Sequence, residues 1–391
     1  MLYHANSASR AFLLMAVPFL FAVSDAACAA SNIHTPFGVI EVGGSGIKAS
    51  VYDISPRQAQ ALLSDEAAVQ GFRYTAFKKA LVQDYQTVDT KLSVIASWST
   101  AIKAINTFRA EMESQHGVPA DKIYVVASSS VQEVLQFDKF KDKVLRETGT
   151  PLDVVTVAQE CSLTFRWLVP GSRTYQAVVI DVGSGNTKAC YAEPGDDGPR
   201  RRAFELLPYG TKTFETEVKK LKRPNESFAQ ASMRARALLV DPKIDTQSSD
   251  NSGLRARRRL YLVGGAPWVA TTYTHLAEIK IDWVKLAAPR DFQAVRDASA
   301  QGKVLVPDAD AIRDPEARAK AEKDLAKVGT VFTPDQLLDG MDILIAISED
   351  LHVSTEKDVV FFARPGVDAW RSRYLVEKVA KSANGDMFTT P

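Results

Sequence analysis

The sequence predicts an α/β protein made of two related halves with a cleft between them, and three observations carry that expectation. From residue 38 onward, short runs rich in Val and Ile alternate with longer stretches of helical period. A hairpin with a glycine turn, VIEVGGSGIKASVY at 39–52, recurs as VVIDVGSGNTKACY at 178–191, and Glu41 lies over Asp181, Gly43 over Gly183 and Lys48 over Lys188 at a constant offset of 140. Between the copies the chain breaks at Pro170-Gly171, and the same cycle of strands and helices then restarts. A chain of 391 residues is long enough for two such cores.

The elements follow in order. GVIEVGG and IKASVYDI read as antiparallel strands about a turn, because Val and Ile alternate with small or polar residues. Helical period is clearest over 88–115 and stops at Gly117. KIYVVAS (122–128) is a strand entering a turn of Ser128, Ser129 and Ser130, and VLQFDKFKDKVLRETG (134–149) returns as a helix. PLDVVTV (151–157) reads as a strand and AQECSLTFRWLV (158–169) as a helix. In the second half AVVIDVGSG and TKACYAE form the repeated hairpin, and TKTFETEVKKLK (211–222) is a helix. DTQSSDNSG (245–253) reads as a loop, RLYLVGGA (259–266) as a strand and turn, and 286–330 as an irregular charged region. A helix is predicted over 333–351, a strand over 358–363 and a last helix after Gly366. The expected division is a leader at 1–30, one domain at 31–171 and a second at 172–391, the last helix packing back on the first domain.

Composition excludes some classes. Hydrophobic content of 46% with 24% charged residues is that of a globular chain, and a net charge of +1 gives no global attraction for nucleic acid or membrane. Any polyanion site must be local. Arg10, the apolar run AFLLMAVPFLFAV (11–23) and the small residues Ala27-Cys28-Ala29 read as a secretory signal, so export is expected. The run is shorter than the roughly 20 residues of a spanning helix, and acylation at Cys28 is the alternative that Asp25 disfavours. Cys161 and Cys190 fall in apolar segments and read as buried free thiols. The five histidines lack ligand spacing, so no zinc site is expected.

The glycine turns carry the chemistry. Positive φ at Gly43, Gly46, Gly183 or Gly185 would aim consecutive backbone amides into one concavity, where a phosphate can approach unobstructed by side chains. Each turn follows an acidic residue at a strand end, Glu41 or Asp181. Two such turns suit a phosphate chain with a divalent cation, Mg²⁺, held by oxygen ligands.

IEVGGSGIK and IDVGSGNTK resemble the two phosphate loops of the actin-like ATPase superfamily, and the motif order is similar to that of the exopolyphosphatase / guanosine pentaphosphate phosphohydrolase family, with ecto-apyrases as cousins. The resemblance implies two actin-like (ribonuclease H-like) domains. It implies a phosphate site of Gly43, Gly44, Ser45, Gly46, Gly183, Ser184, Gly185, Asn186 and Ser129, with Mg²⁺ at Glu41 and Asp181. In AQECS (158–162), Glu160 stands where the family has its catalytic glutamate. VGGA at 263–266 resembles the adenosine-side turn, which implies nucleotide contacts at Gly264, Gly265 and Ala266, with Trp268 near the base. The substrate expected is a nucleoside polyphosphate or inorganic polyphosphate, and a homodimer is one expected assembly.

Four departures bear on turnover. Glu41 replaces an Asp, Gln132 stands where an Arg often binds phosphate, Cys161 replaces the second Glu of a pair, and Lys188 takes an acidic or amide position. They keep a non-catalytic binder open beside the hydrolase, and a sugar-kinase-type phosphotransferase shares the loops. Arg200, Arg201 and Arg202, and Arg255, Arg257, Arg258 and Arg259, read mainly as solvated faces with a lesser prospect of holding a polyanion.

Overall fold

The structure, a computed structural model, describes residues 35–382 apart from 45, 65–76, 91, 93, 133, 135, 197, 304, 306 and 354–358. The leader, Cys28 and Ser45 lie outside the described residues.

Two mixed sheets repeat one plan. In the first, β1 (Thr35–Val42), β2 (Gly46–Ile54) and β3 (Leu81–Asp84) run antiparallel, with β4 (Val88–Asp89) also on β2. β5 (Ile123–Ala127) then joins β1 in parallel, and β6 (Leu152–Val154) joins β5. In the second sheet β7 (Ala177–Val182), β8 (Thr187–Glu193) and β9 (Arg200–Leu207) form the antiparallel part. β10 (Arg259–Gly264) and β12 (Val359–Ala363) continue it in parallel, and β11 (Trp283–Lys285) closes the edge. The repeat in the sequence is therefore a repeat in topology: Glu41 pairs across its hairpin with Lys48, and Asp181 with Lys188.

Strand alternation sorts the side chains into layers. On β1, Ile40 and Val42 face outward to helices α2 (Trp98–His116) and α3 (Phe137–Thr148), where Ile105, Phe108 and Phe140 complete a core. Phe37 and Val39 face inward, toward a layer shared by both sheets and filled by α1 (Pro56–Leu63), α4 (Val157–Leu168) and the C-terminal helix (Ala369–Ser382). Val179, Cys190 and Ala192 of the second sheet face the same layer. On its outer face Ile180, Leu260 and Phe292 pack with the helix Pro334–Asp350, whose Met341, Ile343, Leu344 and Ile347 are buried. Each fully buried Leu, Ile or Phe contributes about 1.5–3 kcal/mol relative to exposure. The C-terminal helix packs on α1 and α4.

The structure corrects several boundaries. The helix expected from residue 88 starts at Trp98, after β4 and a 3₁₀ turn at Ile95–Ser97. The helix expected from 134 starts at Phe137, behind Gln136 in a left-handed conformation. The loop expected at 245–253 is largely the helix Asp241–Asp250, and 286–330 holds the helices Arg290–Ala300 and Pro315–Val331. Cys161 and Cys190 are not free thiols: they form a disulfide between α4 and β8, with Cα atoms 5.9 Å apart. Among the described residues no helix is long and apolar enough to cross a membrane.

Candidate active site

The two hairpin turns close alike. Gly43 N–H donates to the Gly46 carbonyl at 2.9 Å, and Gly183 N–H to the Asn186 carbonyl at 3.1 Å. None of Gly43, Gly46, Gly183 and Gly185 has the positive φ expected of it, and neither does Gly44. Close approach selects glycine instead. A Cβ on Gly46 would meet Thr87 Cγ2 at 2.9 Å and Val88 O at 3.0 Å, and one on Gly44 would lie 3.2 Å from Ser130 Oγ. A Cβ on Gly185, in the other half, would lie 3.8 Å from Ser130 Cβ, so the two loop tips converge on the Ser128–Ser130 turn. The left-handed residue is Gly264 (φ 98°), where a Cβ would stand 2.3 Å from Val182 O and 2.7 Å from Asp181 Oδ1. The helix Thr211–Leu221 clamps the second loop through Thr211 N–H to Gly183 O and Lys212 N–H to Ser184 O.

Strand parity places the charges. Glu41 continues the inward series Phe37, Val39, and Asp181 continues Ala177, Val179, so both carboxylates point into the layer between the sheets. Their cross-strand lysines point the same way. Lys48 Nζ is 3.8 Å from Glu41, and Lys188 Nζ is 3.5 Å from Asp181.

Glu160 belongs to this constellation. A capping box of Thr156 and Gln159 starts α4 and puts Glu160 in its first turn. Its carboxylate does not serve the helix end. One oxygen accepts from Ser129 N–H at 2.8 Å and from Ser129 Oγ at 2.6 Å, and the other from Lys188 Nζ at 2.5 Å. Burial pushes its pKa up, but the Lys188 ammonium and the Ser129 hydrogen bonds outweigh burial and hold it below the usual range. Burial raises Asp181 against the pull of Lys188. The disulfide joins the residue after Glu160 to the strand that carries Lys188.

The sequence reading missed three contributors. Ser130 stands between the loop tips, with its Oγ 2.8 Å from Ser128 Oγ. Gly210 backs the second loop, since a Cβ there would meet Gly183 O at 2.3 Å. Arg371, 2% exposed on the C-terminal helix, lies 3.9 Å from Glu41 Oε2 and 3.1 Å from Asp368. Its Nε and Nη1, like Glu41 Oε2, lack a hydrogen-bond partner. Only the small apolar residue Ala369 and Trp370 separate it from Asp368 in sequence, and nothing there signals a site.

Other expected residues lie further off. Gly265 approaches Phe332, and Trp268 borders a cavity of about 430 Å³ that Lys78, Lys320 and Asp368 also line. The arginine runs are largely engaged elsewhere: Arg202 pairs with Glu193, Arg255 with Asp245 and Asp350, and Arg257 stacks on Tyr191. Gln132 donates to the Val155 carbonyl. The donor set at Glu41 and Asp181 does not fit a divalent cation as placed. Both carboxylates already face ammonium or guanidinium groups, and among the described residues no cluster of three or more His, Cys, Asp or Glu could hold a metal ion.

Paired glycine loops at the ends of repeated strands, with a buried glutamate between them, define an actin-like phosphate-handling fold. A family profile agrees: the Ppx/GppA phosphatase family matches residues 79–274, half of the chain, and the chain belongs to that family. Enzymes of this family generally use divalent cations. A Ppx/GppA enzyme of Aquifex aeolicus is similar in fold, with TM-score 0.55 and 13% identity over 88% of this chain and 100% of that one. An exopolyphosphatase from Cytophaga hutchinsonii has TM-score 0.54 and 12% identity over 89% and 98%. An exopolyphosphatase-like protein has TM-score 0.55 and 16% identity over 86% and 97%. No curated protein sequence matches the chain.

Proposed function

We propose that this chain hydrolyses phosphoanhydride bonds, releasing phosphate from inorganic polyphosphate or a nucleoside polyphosphate. The observation that supports this best is Glu160, ionised and fixed between the two phosphate loops by Ser129 and Lys188. Phosphoryl transfer asks mainly for positioning and charge stabilisation, so a carboxylate of low basicity suffices to orient water. The chain's own groups supply both. Amides around Gly43–Gly46 and Gly183–Asn186 receive the phosphates. Lys188 turns from Glu160 to the transferred phosphoryl group, which frees one carboxylate oxygen for a water. The water oxygen bonds to phosphorus, the bond to the leaving phosphate oxygen breaks, and Glu160 takes the water's proton. No step runs through a metal at Glu41 and Asp181, for the reason of fit given above.

A second reading, a non-catalytic phosphate binder, is favoured by the 3% exposure of Glu160 and the engagement of both its oxygens. For export, the disulfide supports what the leader suggests, because such bonds persist in oxidising compartments. The test is phosphate release without an added acceptor, across ATP, ADP, GTP, a guanosine pentaphosphate and polyphosphate. Release from one class names the substrate; binding with no release from any leaves the binder.

A further inference from the structure

We infer that Lys188 supplies the cationic charge of this site and that phosphate chains bind here without a divalent metal ion. The inference rests on the phosphate-binding part of the reading above and is independent of turnover. Lys188 Nζ lies 2.5 Å from Glu160 and 3.5 Å from Asp181, and only 5% of its side chain is exposed. A cation bridging the strand-end carboxylate and the helix carboxylate would have to occupy that same position. A divalent ion entering there would meet an ammonium already fixed by two carboxylates, with like charges at contact distance.

The repeat gives the arrangement a second instance. Lys48 stands to Glu41 in the same cross-strand register as Lys188 to Asp181, so each carboxylate expected to bind metal carries its own lysine. Arg371 adds a second cation near Glu41, and its buried Nε and Nη1 lack a hydrogen-bond partner. An ammonium has three protons to donate, and the two carboxylates engage two of them in this structure, so the third meets a phosphate oxygen on binding, before Lys188 leaves Glu160 for the transferred phosphoryl group. Lys188, one of the departures from the family pattern, thus places a positive charge between the carboxylates where a metal would otherwise bring one.

Calorimetric titration of the intact, oxidised protein with tripolyphosphate, in excess EDTA and again with Mg²⁺, tests this, beside electron paramagnetic resonance with Mn²⁺ alone. Binding is expected in EDTA, with no tight Mn²⁺ site. Lys188→Met, matched in length and checked for folding by circular dichroism, should weaken binding in EDTA by about 10- to 100-fold, the loss of one charge-assisted contact. Binding that requires Mg²⁺ and vanishes in EDTA overturns the inference, as does no binding under either condition. EDTA-resistant binding without phosphate release upholds it while the hydrolase reading fails. Release that needs Mg²⁺, with binding lost in EDTA, does the reverse. The wild-type arms decide the matter even where Lys188→Met does not fold.

Discussion

Breaking the Cys161–Cys190 bridge tests the structure where its energetics and its chemistry meet. The two residues are 29 apart in sequence, and cross-linking a loop of that size removes about 3.6 kcal/mol of unfolded-state entropy at 25 °C. Both sulfurs are buried, so reduction also leaves two thiols in a largely apolar layer, where the Cys161 carbonyl, 3.1 Å from Cys190 Sγ, is a weak compensation. Urea unfolding of the oxidised protein, compared with the same protein reduced before denaturation, should therefore show stability lower by about 3 kcal/mol after reduction. Peptide mapping without reductant should recover residues 161 and 190 in one linked fragment. The consequence reaches the site, because the bridge ties Glu160's helix to Lys188's strand, and reduced protein should bind phosphate chains more weakly. Two alkylated thiols in native oxidised protein, or a stability change under about 1 kcal/mol, would refute the reasoning.

Three further outcomes are expected. Ser232 Oγ lies 2.6 Å from Asp339 and 2.7 Å from Asp342, but one hydroxyl proton cannot serve two carboxylates. Burial pushes Asp339 up to about 8, so it is protonated in the folded protein near neutrality and ionised when unfolded. Because its folded pKa is raised, stability should fall by up to about 1.4 kcal/mol per unit as pH rises between about 4 and 8. Asp339→Asn should flatten that slope in urea titrations at pH 5 and 8; an unchanged slope contradicts the assignment. Gly264→Ala combines positive φ with a clash at Val182 O and Asp181, and should lower stability by at least about 1–3 kcal/mol in the same assay. Glu160 and Lys188 form an ion pair whose folded pKa values move apart, Glu160 downward and Lys188 upward. Its stabilisation is thus present above the ordinary glutamate range and below the ordinary lysine range, and the pair's contribution to stability in urea titrations should hold level across about pH 5 to 9.

Much of the fold was legible because one hairpin was copied. The offset that set Glu41 over Asp181 and Lys48 over Lys188 in sequence is the offset of the two sheets. Polar helices were the main loss. DTQSSDNSG looks like a loop by composition, but only Ile244 and Ser248 of the helix Asp241–Asp250 need burial, so its exposed face carries the polar residues. The helix Pro315–Val331 had a readable start, Asp314 capping before a proline, and its small buried residues Ala317 and Ala321 gave no apolar stripe to follow. Motif order singled out Glu160 in the sequence. Its lock was not legible there: Lys188 and Ser129 reach it from other elements, and neither contact has a local signature. The disulfide was hidden for the same reason, since pairing depends on how α4 meets β8 and not on spacing.

Hydrolysis by this chain would depend most directly on Glu160. Single-turnover phosphate release from tripolyphosphate by wild type and Glu160→Gln, at equal occupancy established by calorimetry, isolates the water-activating step from binding. A fall of about 100-fold or more in the rate, with binding retained, is the predicted result. Equal rates in the two proteins would contradict it, and so would release by neither.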